Sequence, residues 1–245
     1  MAMRAALLDF FLPSTCPACR AVPGPNICGS CLAELSPILH PCPHCGSPRW
    51  GEEESCPRCH DAGLPNLRGV SCLAIYGGTM ERLIGDAKAG ARAPAVAALA
   101  RCLAQASEPP GPIDLVVPVP PNPGRRDGPH LASHCAKALA KVHGLPFAAA
   151  LVTRRPAAQQ HLLEARSRQR AVEDLFALRR EIPPGCRVWL IDDILTSGAT
   201  LSAAARCLRQ GGARRVYARC LARTPRGDDP RPTAEDSETL SGAAD

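Results

Sequence analysis

Aromatic side chains are nearly missing from this chain, which has two Trp, two Tyr and four Phe in 245 residues. Ring packing cannot build its core, so Ala, Leu, Val and Ile must fill the interior. The same shortage leaves few rings on which nucleic-acid bases could stack. Long apolar runs are lacking too. The opening stretch, MAMRAALLDFFLPST, is too short for a membrane helix and is interrupted by Asp9, and no small-residue cleavage site follows it. The expectation is a cytoplasmic chain with neither signal peptide nor membrane span. There is no G-x-x-x-x-G-K-[ST], which excludes a P-loop nucleotide site.

Cysteine, by contrast, is abundant, with fourteen in all. Eight of them form four CxxC pairs before residue 60: Cys16/Cys19, Cys28/Cys31, Cys42/Cys45 and Cys56/Cys59. A two-residue gap lets both thiolates of one tight turn face a single ion, and two such turns complete a tetrahedral S4 shell, the usual structural zinc site. Taken in order, the pairs give two small zinc ribbons in tandem; an interleaved pairing would also give two sites. A disulfide framework is the rival reading, and no export signal supports it. His44 and His60 adjoin the cluster but are not needed as ligands. The other six cysteines (Cys72, Cys102, Cys135, Cys186, Cys207, Cys220) lie in apolar stretches and are expected to be core thiols.

The formal charge is +6. Residues 225–245 carry six acids against Arg226 and Arg231, a share of −4, so the preceding 224 residues hold +10. Such an excess suits phosphate-bearing ligands or nucleic acid, and it suits an arginine-rich surface equally well. The Pro-, Gly- and acid-rich tail itself is expected to be disordered.

The length allows one full domain and a smaller module. After the cysteines, strand and helix patterns alternate. RGVSCLAIY reads as a strand, and GGTMERLIGDAKAG begins a helical stretch that AVAALARCLAQA continues. DLVVPVP is a strand, a helix runs from about 130 to 143, and GLPFAAALV is a further strand. DLFALR and RVWLIDD are strands, LSAAARCLRQGGA is a helix, and RVYARCLAR is the last strand. This alternation predicts an α/β domain with a mostly parallel sheet. The expected boundaries are 1–64 for the ribbons, 65–224 for the α/β domain and 225–245 for the tail.

One stretch carries the chemistry: RVWLIDDILTSGATL, residues 187–201. A buried strand runs into Asp192 and Asp193, two carboxylates that are costly to bury unless something uses them. Thr196, Ser197, Gly198, Ala199 and Thr200 follow, small or hydroxylic, before a helix beginning near Leu201. A helix N-terminus beyond the carboxyl end of a parallel strand is an anion site, suited to a terminal phosphate. The aspartates cannot serve the phosphate, but they can accept hydrogen bonds from a vicinal diol one sugar-width away. Together they describe a ribose 5-phosphate site. The plainer alternative is a strand–turn–helix with Thr200 as N-cap and both aspartates solvated.

LIDDILTSGAT resembles the fingerprint with which type I phosphoribosyltransferases bind phosphoribosyl pyrophosphate (PRPP), with Ser197 in place of a threonine. The resemblance implies that Asp192 and Asp193 contact the ribose 2′ and 3′ hydroxyls and that Thr196 to Thr200 wrap the 5′-phosphate. LLDFFLP before the paired CxxC motifs, YGGTMERLIGDAKAG, DLVVPVP and LVTRRPAAQQHLLEARSRQRAVEDLF are similar to segments of the ComF-like, competence-associated proteins, which join a double zinc ribbon to that fold. Arg155, Gln160, Arg168, Val172 and Phe176 match the family's pattern in the last segment, whereas Ala157 and Ala171 replace a threonine and an asparagine. The resemblance covers about residues 5–223. It departs at Arg126-Asp127-Gly128-Pro129-His130, where the family commonly has Arg-Gly-Phe-Asn-Gln.

The resemblance implies structural Zn2+ at two sites and PRPP with Mg2+ at the sugar-phosphate site. It implies Lys88, Arg125, Arg126, Arg155 and Arg168 as groups that neutralise pyrophosphate, each of which is otherwise a solvated surface charge. It further implies a role in uptake or processing of single-stranded DNA during transformation, with DNA-uptake proteins as partners. Three functions stand at this point: ribosyl-phosphate transfer to an unknown acceptor, DNA handling with the phosphosugar as ligand, and purine or pyrimidine salvage.

Overall fold

The computed structural model describes residues 14–51, 55–89, 93–121, 130–154, 175–227 and 229. Four parallel strands form its centre: β1 (Gly69–Ile75), β2 (Leu115–Pro118), β5 (Arg187–Leu195) and β6 (Arg215–Arg223), in the order β1-β6-β5-β2. Beyond β2, residues 146–148 extend the sheet through a parallel bridge between Val116 and Phe147. A separate antiparallel pair joins β3 (Leu151–Thr153) to β4 (Phe176–Leu178). The expected strand GLPFAAALV is therefore two short pieces, one beside β2 and one pairing with β4.

The strands are apolar because both faces are covered, as parallel sheets require. On one face lie α2 (Gly78–Lys88), α3 (Ala93–Gln105) and α4 (Leu131–Val142), packing Leu83, Ile84, Leu99, Leu103 and Leu139 against Trp189 and Ile191. On the other, α5 (Ala199–Gln210) packs Leu201 and Leu208 against Val188, Leu190 and Val216. Trp189, only 1% exposed, and Phe176 are the buried aromatic rings among the described residues, so small aliphatic side chains do most of the filling. The helical stretch read from residue 77 onward is two helices rather than one. The first ends at Lys88, and the second starts at Ala93 with Pro94 in its first turn, where a missing N–H costs nothing.

Both ribbons pack on this domain. In the first, which includes the five-residue helix α1 (Gly29–Ala33), Cys16, Ile27 and Cys31 join the helical core, and Arg101 on α3 bonds Asn26 Oδ1 (2.9 Å) and the Pro25 carbonyl (2.7 Å). The second covers the sheet edge. The Val70 N–H donates to the Pro43 carbonyl at 3.1 Å, which blunts an edge strand that would otherwise offer its donors to another chain. A Cβ on Gly69 would lie 2.9 Å from that carbonyl oxygen, so glycine is needed for the approach. Of the tail, residues 225–227 and Asp229 are described. Among the described residues no helix is long and apolar enough to cross a membrane.

Candidate functional site

The eight N-terminal thiols gather into two groups, Cys16/Cys19/Cys28/Cys31 and Cys42/Cys45/Cys56/Cys59, with all ligand atoms of a group within 4.8 Å of one another. The pairing is sequential, and His44 and His60 belong to neither group. Sulfurs around a tetrahedral zinc at about 2.3 Å stand about 3.8 Å apart. Cys19–Cys28 and Cys42–Cys59 are separated by 3.8 Å and Cys45–Cys56 by 3.6 Å, so the donor set fits zinc. The turns are made by a left-handed residue directly after three of the pairs: Arg20 (φ 62°), Gly46 (φ 71°) and His60 (φ 45°). Burial and the neighbouring thiols push Cys31 up to about 12, and burial raises Cys45 as well. Four thiolates this close are stable only around a cation. Of the six other cysteines, Cys72, Cys135, Cys186 and Cys220 are buried and Cys102 and Cys207 half-buried.

At the carboxyl end of the sheet, β5 carries Asp192 and Asp193, and Thr196, Ser197 and Thr200 are exposed in the residues that follow. The helix begins two residues earlier than the sequence suggests. Gly198 is its N-cap, in the left-handed conformation (φ 83°), and Ala199 is its first residue. Thr200 therefore lies inside the first turn and is not the cap. The Ser202 N–H is the first to reach an intrahelical carbonyl, that of Gly198, so the preceding amides of the first turn have none to bond within the helix. This is the geometry of an anion cradle.

The two carboxylates are organised differently. Asp192 Oδ1 accepts the Asp193 N–H at 2.8 Å, and Asp193 Oδ1 accepts the Ile194 N–H at 2.7 Å. Asp193 Oδ2 also holds Lys88 Nζ at 2.6 Å, an ion pair brought together by the last residue of α2. Burial and the adjacent Asp193 push the Asp192 carboxyl up to about 8. His130, the N-cap of α4, is close enough to feel Asp193 and Lys88; burial lowers its pKa from the usual value despite the pull of Asp193, and its Nδ1 lies 2.9 Å from Ser133 Oγ. Sequence reasoning proposed Lys88 for pyrophosphate, and here its partner is Asp193. Arg125, Arg126, Arg155, Gln160, Arg168 and the loop at 127–129 lie outside the described residues.

One supporting contact was invisible in the sequence. Leu64, just past the second ribbon, packs against the phosphate loop, and a Cβ on Gly198 would stand 2.5 Å from Leu64 Cδ1. No local pattern announces it, because the two residues are far apart in the chain.

The raised Asp192 carboxyl makes a stability prediction. A carboxyl that titrates near 4 in the unfolded chain and near 8 when folded binds more protons folded than unfolded in that window. The protein therefore loses stability as pH rises from about 4 to about 8, and the loss levels off above. Asp192→Asn keeps the acceptor for the Asp193 N–H and removes the charge. It should be more stable than the parent by about 1–3 kcal/mol at pH 8, the difference shrinking towards pH 4. Thermal melts of both proteins across that range check it; a difference independent of pH would contradict it.

Comparison with known proteins agrees with this architecture. The double zinc ribbon domain family matches residues 7–60, and the phosphoribosyl transferase domain family matches residues 92–239. The chain is 32% identical over 227 residues to the DNA utilization protein YhgH of Salmonella typhi, covering 87% of this chain and 98% of that one. It is 30% identical over 226 residues to the protein of the same name in Escherichia coli K12, with the same coverage. Among solved structures it is similar to the glutamine PRPP amidotransferase of B. subtilis (24% identity, TM-score 0.38), matching 51% of this chain and 25% of that one. The allosteric regulatory enzyme of purine biosynthesis gives 25% identity at the same TM-score and coverage, so the chain spans a quarter of the length of both. With a double zinc ribbon followed by a type I phosphoribosyltransferase fold, and with relatives matched over nearly their whole length, the chain belongs to the ComF-like family.

Proposed function

We propose that this protein binds PRPP with Mg2+ at the carboxyl end of β5 and acts in the cytoplasm on incoming single-stranded DNA during natural transformation. The observation that carries the sugar-phosphate half is the pairing of Asp192 and Asp193 with a glycine-capped helix N-terminus five residues on. The loop hydroxyls of Thr196, Ser197 and Thr200 and the first-turn amides, of which the Ala199 N–H now makes only a long 3.4 Å bond to Ser197 Oγ, would hold the 5′-phosphate. Asp192 and Asp193 would accept the ribose hydroxyls, with Lys88 released from Asp193 towards the pyrophosphate. Arg125, Arg126, Arg155 and Arg168 are the further cations proposed for that group. Mg2+ bound to PRPP would neutralise phosphate charge, and the paired carboxylates are the hard oxygen donors such an ion accepts.

In a transfer reaction, a nucleophilic nitrogen would displace pyrophosphate from C1 through an oxocarbenium-like state. The chain would then contribute mainly positioning and charge stabilisation. The DNA half is supported by the relatives named as DNA utilization proteins and by the +10 excess ahead of the acidic tail. Binding of a labelled oligo-dT, followed by anisotropy between 50 and 300 mM salt, tests it. The expected result is affinity that falls steeply with salt, as phosphate contacts demand. An affinity below detection at low salt would overturn this half and leave a sugar-phosphate protein without a DNA role.

A further inference from the structure

Arg223, the last residue of β6, pairs in register with Leu195, the residue before the phosphate loop. Its side chain is only 3% exposed, yet its Nε and one Nη donor find no hydrogen-bond acceptor among the described residues. Burying a charged donor without a partner is among the costliest things a fold can do. The carboxylate that faces it, Asp229 Oδ1, is 3.9 Å away, beyond bonding distance. That carboxylate is committed elsewhere. Oδ1 accepts from Arg58 of the second ribbon at 3.1 Å, and Oδ2 accepts the Arg226 backbone N–H at 2.7 Å. Two guanidinium groups thus converge on one tail carboxylate, which bonds only one of them.

We propose that Arg58 and Arg223 form a second anion site, built for a phosphomonoester dianion, in which Asp229 of the acidic tail sits as a carboxylate stand-in. A carboxylate has two oxygens, and here Arg58 and the Arg226 amide use both. A phosphomonoester presents three free oxygens and two charges. It can satisfy Arg58, Arg223 and a third donor together, matching two guanidinium forks with two negative charges. The site draws its polar groups from the second ribbon and β6, neither of which supplies a polar group to the sugar-phosphate cradle. Asp229 must leave for a phosphate to enter, so its carboxylate competes with the ligand.

The test titrates inorganic phosphate into the zinc-loaded full chain in phosphate-free buffer. Asp229→Ala should bind phosphate at least tenfold more tightly than the parent. That gain should vanish when Arg58→Gln or Arg223→Gln is added, the less buried Arg58 serving if the Arg223 variant fails to fold. It should persist in Thr196→Ala/Thr200→Ala, which strips the other cradle. A 5′-phosphorylated dT oligomer compared with its 5′-hydroxyl counterpart identifies the source: preference for the phosphorylated end in Asp229→Ala assigns the site to a DNA terminus, and equal affinity assigns it to small phosphate compounds. The proposal is overturned if Asp229→Ala binds no tighter, if the gain survives both arginine variants, or if it disappears with the loop threonines. The titration reads this site whether or not PRPP binds at the other.

Discussion

Removing zinc from the second ribbon will unfold that ribbon and loosen the phosphate loop with it. Cys42, Cys45 and Cys56 are 0–1% exposed, and among the described residues the cluster they form holds only Cys59 and Leu64 besides. With so little apolar core, the metal is the core, and structural zinc in such modules is worth about 10–16 kcal/mol of folding free energy. The consequences travel along two contacts. Loss of the Pro43 carbonyl frees the Val70 N–H and with it the edge of β1, an invitation to strand pairing between molecules. Loss of Leu64 uncovers Gly198. Cys45→Ser/Cys56→Ser should therefore melt at much lower temperature, aggregate on heating and bind PRPP more weakly. Cys207→Ser, a half-buried thiol outside both zinc groups, should stay within about 1 kcal/mol of the parent. Zinc content, melting curves and PRPP titration of the three proteins decide it; a zinc-free second ribbon with an unchanged melting temperature would contradict the account.

Gly198→Ala is expected to cost the loop its function while sparing the rest of the fold. A left-handed residue with a Cβ pays about 1–2 kcal/mol, and the added methyl would also meet Leu64 Cδ1 at 2.5 Å and Cδ2 at 3.1 Å. Either the helix start moves away from the ligand or Leu64 moves away from the loop. The first, together with the left-handed strain, shifts the amides that hold the phosphate, and affinity for PRPP should fall by about 10–100-fold, since about 1.4 kcal/mol is tenfold. Leu64→Ala in the same chain relieves the clash but not the backbone strain. The double variant should recover part of the loss, and the non-additivity measures the contact. Equal losses in the single and double variants would show that Leu64 does not press on the loop.

How much of this could be read in the sequence follows from the range of each interaction. The CxxC turns and the strand into Asp192–Asp193 are local patterns, and the structure carries both. The sequential zinc pairing was open because spacing allows two solutions, and the gathering of the thiols in space separates them. The helix after the loop starts at Ala199 because Gly198 adopts φ 83°, a conformation that composition permits but does not require. GLPFAAALV reads as one strand by its apolar run, yet Phe147 bridges to Val116 while Leu151 pairs with Leu178, a division imposed by partners elsewhere in the chain. The Lys88–Asp193 ion pair, the seat of Leu64 and the burial of Arg223 are long-range facts with no local signature.

The most direct test of the central claim is calorimetric titration of PRPP with Mg2+ into the wild-type protein and into Asp192→Asn/Asp193→Asn. The account predicts saturable binding by the wild type and at least a hundredfold weaker binding by a double variant that is folded and zinc-loaded. Binding of equal strength by both proteins, or no binding by the wild type, would contradict it.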